Sequence, residues 1–249
     1  MNIDLAGKRA IVAGGSRGIG RAIALAFAEA GAGVSICARG AERLAATREE
    51  IARHGGTAHS AVCDLADEAA VPRYIEDAAA TLGGIDILVN NASGFGATDD
   101  EAGWAVSVSV DLLATVRASR AALPFLEKSG SGTILNISSI SGFRATPRTP
   151  PYAAVKAAVL QYTLTQAAAL ARKGIRVNCI APGSIEFPGG TWERARLNNP
   201  DLYGRILRSI PFGRLGRPEE IAQVALFLCS PLAGWVTGQN IAVDGGQML

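Results

Sequence analysis

Short, nearly unbroken apolar runs return along this chain at regular intervals, each closed by a glycine or a polar residue. The first is Arg9-Ala-Ile-Val-Ala13. Small and β-branched residues without polar alternation read as strands buried on both faces. The runs place strands over 9–13, 34–38, 57–63, 85–90, 132–138, 175–181 and 240–243. Longer segments with helical spacing of apolar residues lie near 21–30, 41–54, 67–82, 101–126, 152–172 and 218–230. This alternation predicts an α/β doubly wound fold, one parallel sheet with helices on both faces. Right-handed crossovers give the strand order 3-2-1-4-5-6-7. No linker, repeat or low-complexity tract interrupts the pattern, so residues 1–249 read as one domain.

One stretch breaks the rhythm. From Gly183 to about Ile210 the chain carries Pro188, Gly189-Gly190, Asn198-Asn199 and Pro200. It reads as a long irregular segment, and such loops in compact domains are often lids. A substrate lid is expected near 183–210, with Phe187, Trp192 and Leu197 as its apolar inner face.

Composition narrows the function classes. Hydrophobic residues make up 49% of the chain, yet no apolar run approaches a membrane helix in length. Met1-Asn-Ile-Asp-Leu-Ala-Gly-Lys-Arg9 has no apolar signal core, so a cytoplasmic location is expected. A net charge of +2 with scattered basic residues gives no sign of a nucleic-acid surface. Cys37, Cys63, Cys179 and Cys229 form no Cys-x-x-Cys pair and read as small buried apolar residues in a reducing compartment. His54 and His59 flank a Gly-Gly turn and are expected in solvent, and no metal-ligand pattern is visible.

Chemistry enters directly after the first strand. Gly14-Gly15-Ser16-Arg17-Gly18-Ile19-Gly20 joins that strand to a helical segment, with glycines 14, 18 and 20 spaced G-x3-G-x-G. Strand, glycine turn and helix are the context of a dinucleotide site: the backbone turns tightly, and the helix N-terminus offers N–H groups to a pyrophosphate. The end of the second strand reads Cys37-Ala38-Arg39-Gly40, without the carboxylate that would repel a 2′-phosphate. Arg39 and Arg17 can instead bracket that dianion, so NADP(H) is expected over NAD(H). Asp64, Asn91, Ser139 and Pro182 follow later strands, where ligands of doubly wound sheets bind.

Tyr152 and Lys156 are four residues apart, on one helix face, thirteen residues beyond Ser139. An ammonium beside a phenol favours the phenolate, and such a tyrosine can exchange a proton with a carbonyl or alcohol oxygen. A serine hydroxyl nearby can hold that same oxygen. With the glycine loop, Asn90-Asn91-Ala92, Pro182-Gly183 and the closing Val243-Asp244-Gly245-Gly246, these residues make the whole chain resemble the short-chain dehydrogenase/reductase family. In style it is similar to 3-oxoacyl-(acyl-carrier-protein) reductases.

The resemblance implies a Rossmann fold and hydride transfer between nicotinamide and a carbonyl or secondary alcohol, with an apolar keto compound reduced. Tyr152 would move the proton and hydrogen-bond the cofactor, Ser139 hold the oxygen, and Lys156 tune Tyr152 and bind the nicotinamide ribose. Gly14, Ser16, Arg17, Gly18, Ile19 and Gly20 would take the pyrophosphate region, Asp64 and Leu65 the adenine, and Asn91 and Ala92 the ribose. The Pro182, Gly183 and Ile185 segment would hold the carboxamide. Phe95, Phe143, Ile185, Phe187 and Trp192 stand as substrate-pocket residues, with Arg144 and Arg148 at a rim. Three places depart from the family pattern: Asp111 takes the position of a water-anchoring asparagine, Ser93 that of a glycine, and Phe187 that of a threonine. An alcohol or sugar dehydrogenase, or a low-turnover cofactor-binding sensor, remains the alternative. An enoyl reductase would space its tyrosine and lysine more widely.

The segments 101–126 and 152–172 are rich in alanine and leucine on more than one face, which calls for burial on both sides. Family members commonly pair these two helices and their C-terminal strands, which implies a homotetramer.

Overall fold

The computed structural model describes residues 3–249. Its strands are β1 (Arg9–Ala13), β2 (Gly33–Ala38), β3 (Ala58–Val62), β4 (Ile87–Asn90), β5 (Thr133–Ile137), β6 (Arg176–Pro182) and β7 (Asn240–Val243). They form a seven-stranded sheet in the order β3-β2-β1-β4-β5-β6-β7, every pair parallel. The helices are α1 (Gly18–Glu29), α2 (Ala41–Ala52), α3 (Ala70–Leu82), α4 (Glu101–Val106), α5 (Ala114–Ser129), α6 (Pro150–Leu170), α7 (Thr191–Asn198), α8 (Pro200–Arg208) and α9 (Pro218–Cys229). The fold class and strand order are those expected from the sequence. Among the described residues no helix is long and apolar enough to cross a membrane.

The strands lack polar alternation because both sheet faces are covered. Val12 and Ile36 pack into one layer with Ile23, Phe27 and Leu228. Ile11 and Leu88 pack into the other with Ile75, Leu126 and Ile134. All seven strands run the same way, so the loops leaving their carboxyl ends gather along one edge.

Four expectations are corrected. The 101–126 helix is not continuous: Ser107–Leu113 is wound as a π-helix between α4 and α5. The 183–210 segment is largely helical, because its apparent loop residues act as caps. Asn199 accepts from the Leu202 N–H at 3.1 Å, and Pro200 needs no N–H partner in the first turn of α8. Leu197 is 68% exposed and lies off the inner face, which Trp192, Ala195, Leu202 and Ile206 supply instead. Finally, His59 is not solvated like His54: it lies in β3 with Nδ1 2.9 Å from the Ser35 hydroxyl and Nε2 3.2 Å from Asp77. The cysteines are all free and buried, and burial pushes the Cys179 and Cys229 thiols up to about 12.

Candidate active site

At the carboxyl edge of the sheet lies a cleft of about 920 Å³, within the size range of cofactor and substrate sites. The glycine turn forms its floor. Arg17 precedes α1 in extended conformation, and no side chain caps that helix, so its first N–H groups are left to an external acceptor. Gly20 permits the close packing this needs. A Cβ there would lie 2.2 Å from the Gly14 carbonyl oxygen and 2.4 Å from Asn91 Nδ2. Asn91 Nδ2 donates to that same Gly14 carbonyl at 3.0 Å and ties the loop after β4 to the turn. The uncapped helix start and a cradle that a side chain would fill fit a dinucleotide pyrophosphate.

At one end the cleft is lined by Arg17, Arg39, Gly40 and Arg43, with Asp64 and Leu65. None of the three arginines has an ion-pair partner among the described residues. Arg43 was missed in the sequence. Its signal was its place in the first turn of α2, just beyond Arg39.

The other end holds the proton-transfer group. Pro150 and Pro151 open α6, and Tyr152 and Lys156 follow on one face. The Lys156 ammonium lies 5.5 Å from the Tyr152 ring centroid. Ser139 leaves β5 extended, and its Oγ accepts from the Ser141 N–H at 3.1 Å, which fixes the hydroxyl at the cleft wall. Lys156 itself is almost wholly buried. It donates to the Ile137 carbonyl at 3.0 Å, and its ammonium makes an ionic contact with Asp111 Oδ1 at 3.1 Å. The second Asp111 oxygen accepts from the Gly94 N–H at 2.9 Å. Burial lowers the Lys156 pKa, but the charges of Asp111 and then Tyr152 raise it more, and the net shift is upward. The cation therefore persists through neutral pH.

The π-helix makes this arrangement possible. Its wider turn carries Asp111 under Lys156 while the Ser107 Oγ accepts from the Gly96 N–H at 3.1 Å. The 93–96 loop is thus pinned at two points. On it Phe95 adopts φ +50°, uncommon for a residue with a side chain, and packs edge-on against Tyr152 at 4.9 Å between centroids.

The remaining sequence candidates fall as follows. Ser16, Ile19, Gly14, Gly20, Ala92, Pro182, Gly183, Ile185, Phe95 and Trp192 line the cleft. Gly18 lies beneath the Phe187 ring, which a Cβ on Gly18 would meet at 2.7 Å, so Phe187 stands over the glycine turn. Asp111 sits behind Lys156 and does not line the cleft. Phe143 is a correction: it is exposed and lies outside the cleft. Gln247, absent from the sequence candidates, lines the cleft and accepts from the Ser184 N–H at 2.9 Å. No group of three or more potential ligands for a metal ion occurs among the described residues.

Comparison with known proteins places this geometry. A family profile described as enoyl-(acyl carrier protein) reductase matches residues 13–248. The chain is 39% identical to an isoepoxydon dehydrogenase of Penicillium expansum, over 99% of this chain and 96% of that protein. It is 38% identical to a 3-oxoacyl-(acyl-carrier-protein) reductase of Aquifex aeolicus, over 99% of this chain and 100% of that protein. Among solved structures, it matches a 7α-hydroxysteroid dehydrogenase complexed with NADH and 7-oxo glycochenodeoxycholic acid at TM-score 0.92 and 37% identity, covering 98% of this chain and 96% of that one. It also matches the L-sorbose reductase of Gluconobacter frateurii complexed with NADPH and L-sorbose at TM-score 0.91 and 32% identity, covering 100% of this chain and 99% of that one.

Proposed function

Because the chain belongs to the short-chain dehydrogenase/reductase family and is an oxidoreductase of carbonyl and CH–OH groups, we propose that it is an NADP(H)-dependent reductase of an apolar ketone such as a 3-oxoacyl compound. The observation that carries this reading is the Ser139, Tyr152 and Lys156 set in one wall of a cleft whose other end bears three arginines without an ion-pair partner among the described residues. The L-sorbose reductase holds NADPH, whereas the hydroxysteroid dehydrogenase holds NADH. The arginines argue for the phosphorylated cofactor here.

The glycine turn and the α1 N-terminus would take the pyrophosphate, and Arg17, Arg39 and Arg43 the 2′-phosphate. Bound NADPH supplies the hydride. The Ser139 hydroxyl donates to the substrate oxygen and orients it. Tyr152 gives that oxygen its proton, and the neighbouring Lys156 cation stabilises the phenolate left behind. Asp111 and the Ile137 carbonyl hold the ammonium in place, and Phe95 limits the rotation of the Tyr152 ring.

Arg39→Asp removes one phosphate partner and adds a repulsive carboxylate. The ratio of kcat/KM with NADPH to that with NADH is expected to fall about tenfold or more. An unchanged ratio would mean that Arg39 does not meet the 2′-phosphate.

We also propose a homotetramer in a reducing, cytoplasmic compartment, which suits four unpaired buried thiols. Leu113 and Leu164 are exposed beside and on the two central helices, and Phe227, Leu232 and Trp235 are exposed on the segment leading to edge strand β7. Light scattering should give four times the 25.7 kDa chain mass, and a single-chain mass would refute the assembly.

A further inference from the structure

The mouth of the cleft carries charge that hydride and proton transfer do not use. Its substrate half is walled by Phe95, Trp192, Leu202 and Ile206, while Arg144 and Arg148 line it from the loop before α6. Among the described residues the one carboxylate lining the cleft is Asp64, on the loop after β3. Glu186 and Glu193 on the lid and Asp244 on the C-terminal tail are already engaged, and Asp201, in the first turn of α8, is exposed and does not line the cleft. Glu186 accepts from Arg196 Nε and from the Tyr203 hydroxyl, both at 3.0 Å. Glu193 accepts from the Gly189 N–H at 2.7 Å, and Asp244 from the Gly246 and Met248 N–H groups at 2.9 Å.

Neither Arg144 nor Arg148 has an ion-pair partner among the described residues. Arg144 is nonetheless fixed. Its Nη1 donates to the Gln247 carbonyl at 3.0 Å, a neutral partner that leaves the charge intact. Gln247 is buried and clamped in turn: its Oε1 accepts from the Ser184 N–H at 2.9 Å, and its Nε2 donates to the Ser184 hydroxyl at 3.1 Å. Pro150 and Pro151 lack N–H groups, so the start of α6 offers few backbone donors and the guanidiniums dominate this rim.

Resting on the reductase reading, we propose that the substrate is a ketone with an apolar body and an anionic group, carboxylate or phosphate, which docks on Arg144 and Arg148 while the carbonyl meets Tyr152. A planar guanidinium matches either anion in bidentate geometry. A neutral ketone leaves both cations without a counter-charge.

The test is kcat/KM with NADPH for matched pairs. One pair is a medium-chain keto acid and its methyl ester. The other is a 3-oxoacyl thioester of phosphopantetheine and the same chain on neutral pantetheine, which differs from it only by the phosphate. Wild type should prefer the charged member of one pair by about tenfold to a hundredfold, and the pair that shows it identifies the anion. Arg144→Gln keeps an N–H for the Gln247 carbonyl. In the Arg144→Gln/Arg148→Gln double variant the preference should fall towards one, mainly through KM of the charged compound. Equal rates within both pairs for wild type, or a double variant with the wild-type ratio, would overturn the proposal and leave the reductase reading intact. Turnover of none of the four compounds by wild type would contradict that reading, and this proposal with it.

Discussion

Tyr152→Phe is expected to lower kcat by about 10²–10⁴-fold, the usual contribution of a positioned general acid. The substitution removes only the hydroxyl. The ring keeps its edge-on contact with Phe95, and α6 keeps its N-terminal prolines. NADPH affinity should therefore stay within a factor of about two to three, since no cofactor hydrogen bond other than that of the phenol is lost. Steady-state kinetics with a fluorescence titration of NADPH separates the two effects. A variant retaining more than a few per cent of the wild-type rate would remove Tyr152 from the proton-donor role.

The second large effect concerns Asp111, whose side chain is fully buried against Lys156. Asp111→Ala strips a buried lysine of its counter-charge and leaves the Gly94 N–H without its acceptor. Loss of one partner of a buried pair costs about 3–5 kcal/mol, which for a chain of this size lowers Tm by on the order of 10 °C. Asp111→Asn keeps the shape and an acceptor for Gly94 and should lose less stability.

The pH dependence follows from the sign of the Lys156 shift. Its folded pKa is raised above the ordinary 10.5, so the pair's stabilisation is present below that value and is lost only as pH climbs through the higher folded value. Without the carboxylate, the largest of the effects that raise the Lys156 pKa is lost, and the lysine titrates at lower pH. The pH–rate profile of Asp111→Asn should therefore move to lower pH, with kcat preserved or raised. Three superimposable profiles for wild type, Asn and Ala would exclude Asp111 from the proton path.

Much of this was legible in the sequence because it rests on local spacing. The buried strands, the G-x3-G-x-G turn before α1, and the four-residue separation of Tyr152 and Lys156 are all written within a few residues of one another. What escaped depends on distant partners. Nothing in Ser107–Leu113 announces a π-helix, because that winding is fixed by bonds from Asp111 and Ser107 to the 93–96 loop. The lid helices escaped because Asn199 and Pro200 serve turns and helix starts equally well. Phe143 lies only four residues beyond Ser139, but the short helical turn at Ile140–Gly142 leads it outward, away from the cleft. Gln247 was silent because its partner, Ser184, lies 63 residues away.

The most direct measurement follows the hydride itself. NADPH deuterated at the transferable position of nicotinamide C4 is incubated with the protein and a reducible ketone, and the alcohol is analysed by mass spectrometry and NMR. The account predicts one deuteron on the carbinol carbon, formed by wild type and nearly abolished in Tyr152→Phe. Alcohol without the label, or labelled alcohol formed equally well by the Tyr152→Phe variant, would contradict it.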